Sequence, residues 1–504
     1  MNSRLISGVK RLSLVSKRNY ESVFLPKGGR AFINGKWMKA LSNNTFPVLD
    51  PYTKKTIYEV ANCSVSEAQI AVESAKEAFP EWSDKTTAKE RGAILQRWNN
   101  LLLKNQDKLA ELLTLEQGKP LAEAKGEVAY AASFLDWYAG EARRVYGQVV
   151  SPPVLNRQHL HVREPIGVVV LITPWNFPIA MLARKAAAAL AVGCTIVAKP
   201  AEDTPLSALA FAELGIQAGI PSGVFNVVPA DLENTIEISK YVCDSTRVDA
   251  ISFTGSTEVG KLLLKQSAST VKRVCLELGG NAAVVVFESA DIDKAVSGTM
   301  GAKFRCSGQT CVAANRILVQ EKVHDEFVDK LTRQMQKLKC GYGLDEGINF
   351  GPLINQQAID KVTKIVQDAK DKGATISLGG DLAQAETTLY APTLITGVTK
   401  DMLIASEEIF GPIAAIQKFT TEEEAITRAN ETRSGLASYF FSQDMAQINR
   451  VQRKLQSGMV GINEGIFSCA EAAFGGVKES GMGREGASQG IDEFTQWKYI
   501  CQSY

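Results

Sequence analysis

At 504 residues, with 45% hydrophobic and 22% charged residues, the chain has a globular composition and is too long for one core, so two or three domains are expected. A formal net charge of +1 gives no general pull toward nucleic acid or anionic membrane, and no apolar run reaches the roughly 18–20 residues that span a bilayer. Nine irregularly spaced cysteines, no CxxC and three histidines argue against a disulfide framework and a zinc cluster, and reduced thiols are the simpler reading.

Residues 1–20 contain no acid; the first is Glu21. Lys, Arg and Ser alternate with Leu, Ile and Val at helical spacing, and no long apolar core follows. That is a mitochondrial transit-peptide composition, not a secretory signal, and the mature chain is expected to start near Tyr20. Residues 30–60 read as short strands around turns at Asn34-Gly35 and Asp50-Pro51. Residues 65–146 read as helical: Ser64 and Glu67 make a capping pattern, and Pro120 starts another helix at its first turn. This block looks like packing scaffold without chemistry.

From Ile166 strands and helices alternate. Apolar strands are expected near 166–173, 195–200, 224–228 and 248–254, with helices at 179–192, 204–218 and 256–267. This is the pattern of a doubly wound α/β sheet, whose ligands bind at the carboxyl ends of the strands. Asn176, Lys199, Glu202, Pro229 and Gly255 lie at such ends. The run Phe253-Thr254-Gly255-Ser256-Thr257-Glu258-Val259-Gly260-Lys261 puts glycine and hydroxyls at a helix N-terminus, which favours phosphate. It falls short of a P-loop, because Leu262 stands where magnesium needs a hydroxyl. No GxGxxG follows the first strand.

A second α/β region follows, with strands 282–287 and 316–320, helices 291–304, 323–338 and 355–372, and strands near 376 and 390. The turn Glu407-Glu408-Ile409-Phe410-Gly411-Pro412 suits a ligand edge. Residues 494–501 alternate as an edge strand.

Between these elements lies Arg305-Cys306-Ser307-Gly308-Gln309-Thr310-Cys311. A cysteine attacks as thiolate, and nearby cations favour that form. Arg305 and Arg316 flank Cys311, which is equally readable as a buried small hydrophobe. Of the histidines, His159 and His161 share one face of a strand and His324 opens a helix, all three reading as structural. Glu277 is the better base. It interrupts an apolar run just before Gly279-Gly280, and partial desolvation would raise its pKa toward the working range of a base.

The stretch Gly308-Gln309-Thr310-Cys311, with Leu276-Glu277-Leu278-Gly279-Gly280 upstream, resembles the aldehyde dehydrogenase superfamily and within it the mitochondrial succinate-semialdehyde dehydrogenase branch. The resemblance runs from about Phe32 to Cys501. It implies two doubly wound α/β domains, for cofactor and catalysis, plus a small β oligomerisation arm. The cofactor domain would take 21–144 and 164–276, the catalytic domain 277–480, and the arm 145–163 with 481–504, in a dimer or tetramer. It implies NAD, with the pyrophosphate near Gly255 and Ser256 and against Trp175. Lys199 and Glu202 would hold the adenosine ribose, Glu408 the nicotinamide ribose, and Phe410 would pack on the ring. Relatives preferring NADP tend to lack the acid at Glu202. No metal is implied.

The resemblance also implies roles. Cys311 attacks the aldehyde, Asn176 and the Cys311 N–H stabilise the oxyanion, and Glu277 activates water to hydrolyse the thioester. Arg184 and Arg305 match positions that bind a substrate carboxylate, as in oxidation of succinate semialdehyde to succinate during 4-aminobutyrate degradation. Two arginines converging on a thiol are expensive unless an anion arrives. The family's third carboxylate contact is a serine; an ungapped match puts Cys469 there, next to Ser468. Glutarate semialdehyde, or a broader aldehyde range, therefore stays open. Some relatives carry a second cysteine two positions past the nucleophile; here Ala313 stands there, and Cys306 is the nearby thiol. An inactive paralogue and a CoA-acylating enzyme are the other readings. Intact Cys311, Glu277 and Asn176 speak against the first, and Glu277 against the second.

Overall fold

The computed structural model describes residues 24–26 and 28–504. The expected transit peptide, 1–20, lies outside them. The helical block becomes Val65–Asp84, Ala88–Lys104, Gln106–Gln117 and Leu121–Glu141. Ser64 and Glu67 form a reciprocal capping box on the first. Pro120 precedes the last helix in extended geometry and is not within its first turn.

Two sheets organise the rest. The first has eight strands in the order Lys36–Met38, Ala31–Ile33, Phe225–Val227, Thr195–Lys199, Val168–Ile172, Ala250–Thr254, Arg273–Glu277, Gly481–Met482. Its five central strands are parallel, and the outer ones pair antiparallel. In chain order the central strands run third, second, first, fourth, fifth, so the winding reverses between Val168–Ile172 and Ala250–Thr254. A crevice must open there, because the helices leave these two strands toward opposite faces. The second sheet has seven strands, centred on the parallel set Ile413–Phe419, Ala314–Gln320, Ala282–Val286 and Ala437–Phe441. The α/β architecture expected from the alternation is present.

The helix Pro178–Val192 is buried along its whole length. A helix buried on all sides sits inside a core, and any charge on it must find a partner. This one carries Arg184 and Lys185.

The strand Arg157–Pro165 pairs antiparallel with Thr495–Ser503 and with Gln148–Val150. This three-stranded sheet carries exposed Val149, Trp497 and Tyr499, with Leu155 exposed beside it. The boundary expected at 481 is displaced. Gly481–Met482 closes the first sheet against Leu276–Glu277, and Glu485, Ile491 and Phe494 are buried, so the arm's second segment starts at Thr495. Among the described residues no helix is long and apolar enough to cross a membrane, and no group of three His, Cys, Asp or Glu could hold a metal ion.

Candidate active site

The helix Ile292–Phe304 ends at a tight loop in which Cys306 (φ 51°) and Ser307 (φ 55°) adopt left-handed backbone. The Gln309 side chain pins this loop. Its Nε2 donates to the Cys306 and Pro352 carbonyls at 3.1 and 3.3 Å, and its Oε1 accepts from the Ile354 N–H at 2.9 Å. Beyond the loop, Tyr439 Oη donates to the Val312 carbonyl at 2.9 Å, and the strand Ala314–Gln320 begins. Gly280 lies against the Cys311 backbone: a Cβ there would come within 2.3 Å of the Cys311 carbonyl oxygen, a close approach that requires glycine at this position.

Cys311 is half-buried on the wall of a cavity of about 370 Å³. Burial pushes its thiol up to about 12. Arg184 and Arg305 pull the other way without offsetting it, and Glu408 and Glu277 add to the rise. The flanking cations thus do not produce a resting thiolate. Arg316 takes no part, because its guanidinium donates to the carbonyls of Asn281, Arg428 and Ala429. Cys306 and Cys311 are both free thiols, and Cys306 Sγ is directed at Gln117 Nε2 (3.4 Å) and the Asn176 carbonyl (3.6 Å).

The crevice of the first sheet supplies the opposite wall. Asn176 follows the strand Val168–Ile172, and its Nδ2 donates to the Gln309 carbonyl at 2.9 Å, which ties it to the thiol's loop. Trp175 and Phe410 stand edge to face at 5.5 Å, both on the cavity wall. Gly255 and Ser256 line it too, where Ser256 caps the helix Thr257–Ser267. Glu408 accepts from the Gly280 N–H at 3.0 Å, and burial raises its carboxyl to about 7. Lys199 and Glu202 are not on this wall. They form an ion pair at 3.7 Å beyond the next strand end, where burial lowers the Lys199 pKa.

Glu277 ends the strand Arg273–Glu277 and is 2% exposed, behind the cavity wall and not on it. Neither carboxylate oxygen has a hydrogen-bond partner among the described residues. Gly475 gives it room, because a Cβ there would lie 2.8 Å from Glu277 Oε1. Burial raises its pKa well above the ordinary value, Glu485 adds to the rise, and Arg184, Lys185 and Arg484 oppose it. Burial also works on Glu485, but Lys185 and Arg184 outweigh it and keep that carboxylate ionised. The two neighbouring acids are thus pushed in opposite directions, Glu277 toward the protonated form and Glu485 toward the charged one.

The two arginines differ. Arg184 is 1% exposed and ion-paired through Nε to Glu485 Oε2 at 2.5 Å, with its guanidinium 4.2 Å from the Phe474 ring centre. Glu485 also pairs with Lys185, whose Nζ donates to Ser252 Oγ at 2.9 Å. Glu485 is thus the shared anion of two buried cations, so one positive charge is left over, and Arg184 differs from Arg305 in holding a carboxylate before any substrate arrives. Arg305 is half-buried, stacks over Phe177 at 5.4 Å and makes no ion pair among the described residues. Both arginines line the cavity, as does Ser468, whereas Cys469 is exposed and off its wall.

Sequence reasoning missed Glu485, Lys185, Tyr130 and Lys119. Lys185 had a signal, as a charge in an alanine-rich apolar run. Glu485 had none: Gly483-Arg484-Glu485-Gly486 reads as a surface turn. Tyr130 lines the cavity from the supposed scaffold helix Leu121–Glu141.

The sequence model of the aldehyde dehydrogenase family matches residues 37–500. The chain is 53% identical over 472 residues to the mitochondrial succinate-semialdehyde dehydrogenase of Homo sapiens, covering 94% of this chain and 88% of that protein. A succinate-semialdehyde dehydrogenase structure from Burkholderia pseudomallei superposes with TM-score 0.94 at 48% identity, covering 97% of this chain and 100% of that one. An NADP-dependent enzyme of E. coli matches with TM-score 0.94 at 45% identity, covering 97% and 100%. Betaine aldehyde dehydrogenase from Staphylococcus aureus, in complex with NAD+, matches with TM-score 0.92 at 34% identity, covering 96% of each chain. With fold and family match in accord, the chain belongs to the aldehyde dehydrogenase family and is an oxidoreductase.

Proposed function

We propose that this chain oxidises succinate semialdehyde to succinate in the mitochondrial matrix, with NAD as the oxidant. One observation carries the reading: Arg305 stands without an ion-pair partner among the described residues, on the same cavity wall as Cys311, Asn176 and Ser468. A half-buried guanidinium suits a carboxylate, which it can bind bidentately. The alternative substrate, glutarate semialdehyde, is one methylene longer; a methylene in a pocket is worth about 1–3 kcal/mol, so it should react more slowly.

Cys311 gives its proton to solvent water and attacks the aldehyde carbon as thiolate, and the oxyanion takes hydrogen bonds from Asn176 Nδ2 and the Cys311 N–H. Loss of one such donor typically costs about 2.7–4 kcal/mol of barrier. NAD held in this cleft would supply the two-electron oxidant, a hydride acceptor, that takes the carbon bonded to Cys311 to the thioester level. Glu277, once ionised, takes a proton from the water that releases the acid. The cleft fits such a cofactor. Glu408, buried and raised to about 7, would be relieved by ribose hydroxyls. Trp175 and Phe410 offer an aromatic surface on the cavity wall for a flat ring to pack against, and the helix capped by Ser256 presents its N-terminus to phosphate. Glu202 beside Lys199 favours a 2′-hydroxyl over a 2′-phosphate, which supports NAD over NADP.

The cofactor domain is assigned to the first sheet, the catalytic domain to the second, and oligomerisation to the exposed three-stranded sheet. The basic segment 1–20 and the mitochondrial names of relatives support the location. The test is reduction of NAD and NADP in parallel, with succinate semialdehyde, glutarate semialdehyde and butanal. We expect kcat/KM highest for succinate semialdehyde with NAD, at least ~10-fold above either competitor. Preference for butanal would make Arg305 structural and remove the semialdehyde assignment.

A further inference from the structure

We propose that Lys119 and Glu127 are positioning residues for the oxyanion donor Asn176, an inference that rests on the oxyanion role given to Asn176 above. Both side chains are 0% exposed and paired at 2.5 Å. Lys119 Nζ also donates to the backbone carbonyl of Asn176 itself, at 2.7 Å, and stands 3.8 Å from the centre of the neighbouring Phe177 ring. The second oxygen of Glu127 accepts from the Ile179 and Ala180 N–H groups at 3.0 and 3.3 Å. Those groups open the helix Pro178–Val192, which has no side-chain cap of its own. The pair thus grips the turn 176–180 at both ends, from the side away from the cavity.

Stability alone does not account for such a pair. A buried ion pair can often be replaced by apolar residues of similar volume with no loss, because desolvation offsets the attraction. What apolar packing cannot supply is direction. Hydrogen bonds fix a backbone within tenths of an ångström, and a displacement of about 1 Å at a reacting site can cost roughly 100-fold in rate. The same segment braces the facing wall. Glu123 Oε2 accepts from the Cys306 N–H at 2.8 Å, where the backbone is left-handed. Gln117 reaches Cys306 Sγ at 3.4 Å while its Oε1 accepts from the Lys119 N–H at 3.0 Å. Residues 117–127 therefore hold together the turn that carries Asn176 and the loop that carries Cys311, which Asn176 Nδ2 bridges through the Gln309 carbonyl.

The test is a double-mutant comparison. Lys119→Met combined with Glu127→Gln removes both charges at once and leaves neither buried without its partner. In the otherwise unchanged enzyme we expect kcat for aldehyde oxidation to fall about 30-fold, with the Kd for NAD within twofold. In an Asn176→Ala background the same change should cost under about threefold, because the group being positioned is gone. A merely structural role would lower activity equally in both backgrounds, and that result overturns the proposal. If the pair variant does not fold, Lys119→Met alone carries the comparison, since it deletes the hydrogen bond to the Asn176 carbonyl while Glu127 still serves both helix N–H groups. Activity that falls on Asn176→Ala but not on the clamp variants overturns the clamp alone. Activity that survives Asn176→Ala overturns the oxyanion reading and the clamp with it.

Discussion

Glu277→Gln is expected to stall the enzyme half-way. Rapid mixing of the variant with substrate and NAD should give a burst of about one NADH per active site, followed by steady-state turnover roughly 10³-fold below the unsubstituted enzyme. The substitution keeps the shape of a side chain that packs against Gly475 with neither oxygen hydrogen-bonded, so the cavity should survive. It removes the carboxylate proposed to activate water. Acid quench and mass measurement should then find the acyl group on Cys311. The pH dependence follows from the same site. Burial holds Cys311 near 12 and Glu277 well above its usual value, and each must lose a proton to act. Steady-state activity of the unsubstituted enzyme should therefore rise with pH, and that rise should flatten in the variant, where one group no longer titrates. Normal steady-state turnover by Glu277→Gln would remove it as the base.

The two arginines should separate function from stability. Arg305→Ala is expected to raise KM for succinate semialdehyde roughly 30–100-fold, the worth of a charged hydrogen-bonded contact, and to change KM for butanal under about threefold. Its effect on unfolding free energy should stay below about 1 kcal/mol, because no ion pair among the described residues is broken. Arg184→Ala should behave differently. It leaves Glu485 buried with Lys185 as its remaining cation, and breaking such a pair costs about 3–5 kcal/mol. Chemical denaturation, read beside the KM values, distinguishes the two. Equal stability loss in both variants, or equal KM effects on semialdehyde and butanal, would refute the division of labour.

Much of this was legible in the chain. Alternating apolar strands and helices from Ile166 onward specify parallel sheets, because a strand buried on both faces must be continuously apolar. Strand ends locate Asn176, Gly255 and Ser256, because the winding order puts ligands there. The illegible part is charge. Cys311 beside two arginines reads as an activated thiol, yet burial outweighs the arginines, and burial is a property of the packed state. Arg316 reads as a flanking cation, yet it is consumed by three carbonyls from distant segments.

The sequence by itself determined the α/β class, and through its family motifs it put forward Cys311, Glu277 and Asn176 as nucleophile, base and oxyanion donor. The class depends on local pattern, the period of burial and the alternation of strands with helices. Only the tertiary structure decided how the charges are shared. Glu485 meets Arg184 from 301 residues away, and Lys119 reaches Asn176 across 57. A charge's partner is set by what the fold brings within a few ångströms, and Coulomb energy in a buried site depends on that distance and on excluded water, neither of which is local in the chain.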